Sequence, residues 1–292
     1  MTKISFVILH YNNIDDTLNC IGSIDNLKHN NIDVNIVLVD NCSPNGSGKT
    51  LEEKYQDRKD IKVILLDKNY GFSYGNNIGY CEALKTNPNS IMVINNDIIF
   101  EDANFLVNYV DLIKKNDYDV IGPDIINLKD QHQNPLSSKP TTLFNAYKNI
   151  FKERLYSLLF LIPVLNKKIY SIKKRKEEKW YDSYYEQKEK EIFDIHNFIP
   201  FGAFIIYSNN WLKNETIAFP SKTFMYEEEE ILYQYIQKKK YTMMYYDKIS
   251  VRHLVGRSTS KRTNNQIKNA IFQSKNKANA LKEYVKILKN ME

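Results

Sequence analysis

The sequence contains few cysteines and no long apolar run. Its 292 residues include only Cys20, Cys42 and Cys81, an odd number that lacks the spacing of a metal site. We therefore expect no disulfide framework and a reducing compartment. The first apolar run, residues 4–9, stops at His10 and is too short for a signal peptide or a membrane span. These absences favour a cytoplasmic protein without a transmembrane segment.

Glycine is also sparse, at nine residues. Gly71, Gly75 and Gly79 fall in one segment, but their spacing fits neither the Walker pattern nor the dinucleotide-binding pattern. Basic residues interspersed with tyrosine occur in the second half, and no recognised RNA- or DNA-binding motif accompanies them. We therefore expect no nucleic acid as a partner.

Four short apolar runs predict buried strands at residues 4–9, 34–39, 61–66 and 91–94. Helical spacing fills the intervals, with Leu18, Ile21, Ile24 and Leu27 in the first of them. This alternation predicts βαβ units and a mostly parallel central sheet with flanking helices. A chain of this length can bury a substantial core in one large domain or in two lobes.

Polar clusters follow each predicted strand. In a parallel sheet these clusters meet at one edge, where α/β folds bind ligands. One polar strand end is often just a turn, but four on the same edge indicate a ligand site. The clusters are His10-Tyr11-Asn12, Asp40-Asn41-Cys42-Ser43, Asn69-Tyr70-Gly71 with Gly75-Asn76-Asn77, and Asn95-Asn96-Asp97.

In order and spacing these clusters resemble the amino-terminal half of family 2 glycosyltransferases, particularly the rhamnosyltransferase-like branch. Residues 224–232 are similar to the family's Tyr-x-Glu-Asp/Glu-x-x-Leu segment, and residues 251–253 resemble its later strand with a metal-binding His. Gly202 and Ala203 are similar to the small-residue loop before the acceptor strand. The resemblance covers residues 3–260 and implies a GT-A-like α/β fold.

The resemblance implies a nucleotide-sugar donor that carries UDP or dTDP. Tyr11 is expected to stack on the pyrimidine and Asp40 to accept hydrogen bonds from the base or the ribose, with packing and turn capping as their alternatives. Gly202, Ala203 and Tyr226 are expected on the acceptor side. The remaining expected donor-side residues are Asn12, Asn41, Asn69, Gly71, Asn76, Asn77, Asn95 and Asn96.

Glycosyl transfer also needs a cation and a base. A divalent cation neutralises the departing diphosphate, and the resemblance implies Mn²⁺ or Mg²⁺ held by Asp97, His253 and the donor phosphates. Asn95 stands where the family's motif has its first carboxylate. The acceptor hydroxyl requires a positioned base. Glu229 matches the family's base position, and Glu228 is the open alternative.

We expect four regions along the chain. Residues 1–128 form the donor-binding half, 129–200 a helical insertion, 201–260 the acceptor-binding and catalytic half, and 261–292 a helical tail. The tail has apolar residues at spacings of three and four from Ile267 to Leu288. This spacing predicts an amphipathic helix that packs back onto the catalytic body, with a membrane or partner contact as the second option.

The insertion is basic and apolar. Residues 148–176 include nine basic side chains and one acidic side chain, Glu153, around an apolar run at residues 155–165. We expect this segment to contact an anionic membrane surface. The alternatives are a homodimer contact and packing within the protein. Membrane contact would place the protein peripherally on the inner face of the plasma membrane.

The predicted function is therefore an inverting, metal-dependent glycosyltransferase. It would transfer a sugar to a saccharide or lipid-linked saccharide in cell-surface polysaccharide assembly. A nucleotidyltransferase that makes an activated sugar is the first alternative, but it needs a basic triphosphate loop that residues 10–13 lack. A non-catalytic homologue that binds a sugar nucleotide or a partner is the second, and the presence of Asp97, Glu228, Glu229 and His253 argues against it.

Overall fold

The computed structural model describes residues 1–254 and 265–290. Eight strands form one sheet in the order β3-β2-β1-β4-β7-β6-β8-β5. Six strands run in one direction, and β5 and β7 run in the other. The mostly parallel central sheet is therefore confirmed. The strands are β1 Thr2–His10, β2 Ile32–Asp40, β3 Ile61–Leu65, β4 Ser90–Asn95, β5 Ile98–Ile99, β6 Val120–Asn127, β7 Phe204–Ser208 and β8 Met243–His253.

Helices cover both faces of the sheet. Alternate residues of a strand point to opposite faces, so Phe6 of β1 packs in the core with α1 and α4, and Val7 packs with α3 and α8. The described helices are α1 Ile14–Asp25, α2 Ser47–Tyr55, α3 Phe72–Leu84, α4 Phe105–Ile113, α5 Leu143–Leu159, α6 Pro163–Lys188, α7 Asn209–Asn214, α8 Glu228–Lys239 and α9 Gln266–Lys289.

Strand pairing brings distant polar residues to one rim. Parallel pairing places His10 of β1 beside Asp40 of β2, and Leu9 beside Asn95 of β4. The short strand β5 pairs antiparallel with the end of β8, so that Ile98 lies opposite His253. Asp97, which immediately precedes Ile98, therefore comes to lie beside His253. The end of β8 thus joins the four predicted strand ends at this rim.

The insertion and the tail form one helical layer. Helices α5 and α6 are separated by residues 160–162, and α6 begins at Pro163, whose missing N–H costs nothing in the first helical turn. Helix α9 packs on α5, α6 and α8. Its buried residues follow the apolar spacing predicted for the tail, so the amphipathic helix is confirmed and it packs on the protein's own body: Ala270, Ser274, Ala278, Leu281 and Val285 are all buried.

One of the nine basic residues at residues 148–176 does not face outward. Lys173 is only 6% exposed, and its Nζ lies 2.9 Å from Glu153 Oε2 and 2.8 Å from Ser274 Oγ. It ties α6 to α5 and α9 and cannot meet a membrane headgroup, which corrects the expectation for this position. Along residues 1–254 and 265–290, no helix has both the length and the apolarity needed to cross a bilayer.

Candidate active site

A cavity of about 390 Å³ opens at the carboxyl-terminal rim of the sheet. Thirteen of the seventeen residues predicted for the site line it, so strand ends that are far apart in sequence do converge. They are Tyr11, Asn41, Asn69, Gly71, Asn95, Asn96, Asp97, Gly202, Ala203, Tyr226, Glu228, Glu229 and His253.

The donor-side wall is held together by amide side chains. Asn41 Nδ2 donates to Gly71 O at 3.0 Å, and Asn41 Oδ1 accepts from Tyr70 N–H at 2.9 Å. Gly71 has a φ of +87°, and a Cβ there would come within 2.1 Å of Phe224 O. Glycine is needed here because the loop before α3 packs directly on the chain before α8. The two halves of the chain thus meet at the cavity.

Four predicted donor-side residues do not line the cavity. Asp40 accepts hydrogen bonds from the Ser43 N–H and hydroxyl and so caps the turn after β2. Asn77 Oδ1 accepts from Ala218 N–H and Phe219 N–H, both at 2.9 Å. These two side chains position backbone instead of facing the cavity.

Asn76 and Asn12 also lie outside the cavity wall. Asn76 is 1% exposed and donates to Phe72 O within α3. Asn12 has a φ of +66°, which turns the chain after Tyr11, and its backbone N–H donates to Ser43 Oγ at 2.8 Å. Tyr11 itself does line the cavity.

Asp97 and His253 form a close pair. His253 Nε2 lies 3.2 Å from Asp97 Oδ1, and both side chains are about 95% buried from solvent. On the other side of the ring, Nδ1 lies 2.7 Å from Gln133 Oε1. Since an amide oxygen only accepts, Nδ1 carries a proton. In this tautomer Nε2 faces the Asp97 carboxylate, and imidazole nitrogen and carboxylate oxygen are both ligands of divalent cations.

The donor atoms of this pair fit a divalent cation, but the protein supplies few of them. Within the described ranges no group of three or more His, Cys, Asp or Glu side chains is arranged to hold a metal ion. None of the described residues that line the cavity is Lys or Arg, whereas Asp97, Glu228 and Glu229 are acidic. The cavity wall is therefore rich in carboxylates, with no Lys or Arg among its described lining residues.

The start of α8 delivers two carboxylates to the same cavity. Tyr226 and Glu227 both adopt left-handed backbone, with φ values of +76° and +62°, and α8 begins directly after them at Glu228. Glu229 Oε1 accepts from Gly202 N–H at 3.3 Å. Gly202 is adjacent to Ala203, whose carbonyl accepts from Asn95 N–H at 2.9 Å. Glu229 is thus linked to the rim through the residues before β7.

The four consecutive glutamates differ in their environments. Burial, reinforced by the charge of Glu229, raises the pKa of Glu228 well above its ordinary value, and Glu228 Oε2 is buried without a hydrogen-bond partner. Burial raises the pKa of Glu229 too, against the opposing effect of the Gly202 N–H. Burial, followed by the charges of Glu230 and Glu229, raises the pKa of Glu227 to about 8.

The Glu230 carboxylate makes hydrogen bonds to other parts of the protein. It accepts from the Thr141 N–H and, at 2.7 Å, from the Thr141 hydroxyl, and Tyr284 of α9 donates to it at 3.3 Å. Its carboxylate therefore links α8 to the segment before α5 and to the tail helix. Of the four glutamates, Glu228 and Glu229 line the cavity.

Several lining residues have no counterpart in the predicted site. Helix α9 contributes Asn269, Phe272 and Gln273 to the cavity wall. The Phe272 ring packs edge-on against Phe224, with centroids 5.8 Å apart. The amphipathic spacing predicted this helix, but it did not indicate that the helix would line the cavity. Gln133, behind His253, lies in the insertion and had no motif around it.

Comparison with known proteins gives both a family and a fold. The sequence profile described as Glycosyl transferase family 2 matches residues 5–214. No curated protein sequence matches the chain significantly.

Solved structures of S. aureus TarS share the fold. TarS 1-349 matches with a TM-score of 0.53 and 14% identity, over 87% of this chain and 60% of that chain. TarS 1-349 in complex with UDP-GlcNAc matches with a TM-score of 0.53 and 14% identity, over 91% and 61%. The complex with UDP matches with a TM-score of 0.51 and 15% identity, over 94% and 65%.

The chain therefore spans less than two thirds of the length of the TarS structures that it matches. At this level of identity the likeness establishes the α/β fold of GT-A glycosyltransferases. The profile match covers well over half of the chain and includes most of β1 and all of β2, β3 and β4, whose carboxyl ends form the predicted part of the rim. The chain belongs to glycosyl transferase family 2.

Proposed function

We propose that this protein is an inverting glycosyltransferase that moves a sugar from a nucleotide-sugar donor to a hydroxyl acceptor. One observation carries the proposal. A single cavity contains both the Asp97–His253 pair, suited to a cation on a diphosphate, and the buried carboxylates Glu228 and Glu229, suited to a base. Glycosyl transfer requires these two functions close together, one for the leaving group and one for the attacking hydroxyl.

The donor side is best suited to a pyrimidine nucleotide linked to a sugar by diphosphate. Tyr11 offers a ring for stacking, and Asn41, Asn69 and Asn96 line the cavity with amide groups. UDP-GlcNAc and UDP are bound in the TarS structures with this fold. We assign UDP or dTDP to the donor here. Asp40 would act on the nucleotide through the turn that it caps.

Asp97 and His253 would hold Mn²⁺ or Mg²⁺ together with the donor phosphates. When bound, the cation supplies charge neutralisation for the departing diphosphate. Gln133 Oε1 accepts a hydrogen bond from His253 Nδ1–H, so the other ring nitrogen, Nε2, faces Asp97. Metal-binding histidines are oriented in the same way, by a hydrogen bond from the ring nitrogen that does not bind the metal. Asn95 presents an amide where a second carboxylate would repel the phosphates.

Glu229 would take the proton of the acceptor hydroxyl. Its Oε1 is oriented by the Gly202 N–H, and its raised pKa strengthens it as a base relative to an ordinary carboxylate. Burial and the charge of Glu229 raise the pKa of Glu228 well above its ordinary value, which favours a protonated Glu228 beside an ionised Glu229. A single base that deprotonates the acceptor hydroxyl permits one direct displacement, and such a displacement inverts the anomeric carbon.

The acceptor would lie against Gly202, Ala203 and Tyr226. We assign it to saccharides or lipid-linked saccharides, which places the reaction in cell-surface polysaccharide assembly and the protein in the rhamnosyltransferase-like branch of the family. Lys277 Nζ lies 5.3 Å from the centroid of the Tyr226 ring. This cation–π contact joins the acceptor wall to α9.

The test is a donor screen by nucleotide release. UDP- and dTDP-linked sugars are incubated with the full chain and a panel of soluble saccharides, with Mn²⁺, with Mg²⁺ or with EDTA. We expect nucleotide release for one donor class, with the metal and only with an acceptor. Release equal to that of an Asp97→Ala, Glu229→Gln double variant for every donor would contradict the proposal.

A further inference from the structure

The outer side of α5 carries a stripe of large apolar side chains exposed to solvent. Phe144 and Phe151 are 77% and 71% exposed, and Leu158 is 61% exposed. The stripe continues beyond the helix through the turn at residues 160–162 and into the first turn of α6, where Val164 is 90% exposed. We call this surface the outer apolar face. It consists of Phe144, Tyr147, Phe151, Leu155, Leu158, Leu161, Ile162, Val164 and Leu165.

Helical geometry gives this face a basic margin on both sides. Successive helical residues are about 100° apart, so the five apolar side chains from α5 fall within an arc of about 80°. Around the helix axis, Lys148 and Lys152 lie just beyond one edge of that arc, and Arg154 lies just beyond the other edge. All three are exposed. The opposite side of α5 is buried and carries Ala146, Ile150, Glu153 and Ser157.

Within residues 143–176 no acidic side chain is exposed next to these basic residues; the nearest exposed carboxylates follow in α6, where Glu178 lies 3.8 Å from Lys174. Glu153 is the only acidic residue among residues 143–176, and it is 5% exposed and paired with Lys173. The other eight basic residues of residues 148–176 are all exposed: Lys148, Lys152, Arg154, Lys167, Lys168, Lys174, Arg175 and Lys176. Because Glu153 is buried in this pair, the charged side chains that α5 exposes are all basic.

We propose that the outer apolar face docks on an anionic lipid bilayer. Its apolar side chains would enter the interface, and the flanking Lys and Arg side chains would meet the headgroups, as in amphipathic helices that lie in the membrane plane. A second copy of the chain fits the face poorly. A two-fold dimer places the same patch on both sides, and two strongly basic patches repel each other.

The face lies one helix away from the cavity. Helix α5 packs on α9, and α9 supplies Asn269, Phe272 and Gln273 to the cavity wall. Docking would therefore hold the cavity next to the bilayer, where a lipid-linked acceptor is presented. Access to a lipid-linked acceptor rests on the proposed function, whereas membrane docking itself does not require glycosyl transfer.

The test is co-sedimentation of the full chain with vesicles, without donor or acceptor. Phosphatidylcholine vesicles are compared with vesicles that also contain phosphatidylglycerol, at low and at high salt. We expect binding to the anionic vesicles only, and weaker binding at high salt because ions screen the headgroup attraction.

Two variants separate the contributions of charge and apolar surface. Lys148→Ser/Lys152→Ser/Arg154→Ser is expected to weaken binding to anionic vesicles roughly a hundredfold, at about fivefold for each charge. Lys49→Ser/Lys54→Ser/Lys59→Ser removes the same charge from exposed positions near α2 and is expected to bind like the wild type. Phe144→Ser/Phe151→Ser/Leu158→Ser is expected to abolish binding, and Leu128→Ser, which removes a different exposed apolar side chain, to have no effect.

Several outcomes would overturn the docking. They are absence of binding to either vesicle type, equal binding to both, equal losses in the two charge variants, or a concentration-dependent dimer that the triple apolar variant disperses. Nucleotide release with a soluble acceptor is measured in parallel. Vesicle binding without any nucleotide release would leave the docking standing and reject the proposed function, and the reverse result would reject the docking alone.

Discussion

The assignment of the base to Glu229 predicts opposite outcomes for two neighbouring substitutions. Glu229→Gln keeps the size of the side chain and an oxygen for the Gly202 N–H, which the wild-type carboxylate accepts at 3.3 Å. It removes proton acceptance. We expect kcat to fall by roughly 10²–10⁴, which corresponds to about 3–5 kcal/mol of transition-state stabilisation. Donor affinity should change little, because the base acts on the acceptor.

Glu228→Gln should be nearly silent for a specific physical reason. The pKa of Glu228 is raised well above that of an ordinary carboxyl by burial and by the Glu229 charge, which favours a neutral Glu228 beside an ionised Glu229. Glutamine is close in shape to that neutral acid. We therefore expect kcat within about threefold of the wild type, since an uncharged group is replaced by another.

The pH profile gives a second measure. Burial raises the pKa of Glu229, so kcat should rise with pH through a value above the ordinary range for glutamate and then level off. Glu229→Gln should lose this rise and Glu228→Gln should keep it. The assay is nucleotide release under donor saturation from pH 4.5 to 9. A large loss in Glu228→Gln with near wild-type kcat in Glu229→Gln would refute the assignment.

Three further outcomes follow from the buried groups. Lys173→Met leaves the Glu153 carboxylate buried without its partner and should cost about 3–5 kcal/mol in thermal unfolding, and Lys173→Met/Glu153→Met should recover most of that loss. The raised pKa of Glu227, about 8, means that the folded state holds a proton that the unfolded state has lost between about pH 4.5 and 8. Wild-type stability therefore falls as pH rises through this window, and Glu227→Gln should be more stable than the wild type by roughly 3–5 kcal/mol at pH 9 and equal to it at pH 4. Gln133→Ala removes the acceptor for Nδ1 of His253 and should weaken Mn²⁺-dependent UDP binding about 10–100-fold by calorimetry, while an unchanged affinity would reject the supporting role of Gln133.

Local patterns were sufficient for much of the architecture. The first four strands are short runs of apolar residues that end in polar clusters, and each appears within two residues of its predicted bounds. The pattern works because a strand buried on both faces must be apolar throughout. The spacing of Ala270, Ser274 and Ala278 likewise predicted a helix with one buried face.

Long-range pairing was beyond such patterns. Strand β5 has two residues, Ile98 and Ile99, and its antiparallel contact with β8 sets Asp97 beside His253. A strand this short has no periodicity to detect. The place of α9 also depends on tertiary packing, because its amphipathic spacing specifies a buried face but not the surface that covers it.

Amide and charged side chains were the least predictable. Asn77 has the same donors and acceptors whether it binds a ligand or the backbone of Ala218 and Phe219, as it does here. The motif therefore placed Asn77 in the right region, but its hydrogen bonds are made to the backbone. Lys173 was one of nine basic residues between residues 148 and 176, and only the fold pairs it with Glu153.

Calorimetric titration of UDP in the presence of Mn²⁺ tests the central claim most directly, because it asks whether a nucleotide diphosphate and a cation share the site built by Asp97 and His253. The wild type is compared with Asp97→Ala and with Asp111→Ala, which removes an exposed aspartate of α4. We predict Mn²⁺-dependent UDP binding by the wild type and Asp111→Ala, and affinity lower by roughly a hundredfold in Asp97→Ala, because the cation loses its carboxylate ligand. Equal UDP affinity in all three proteins, with or without Mn²⁺, would contradict the account.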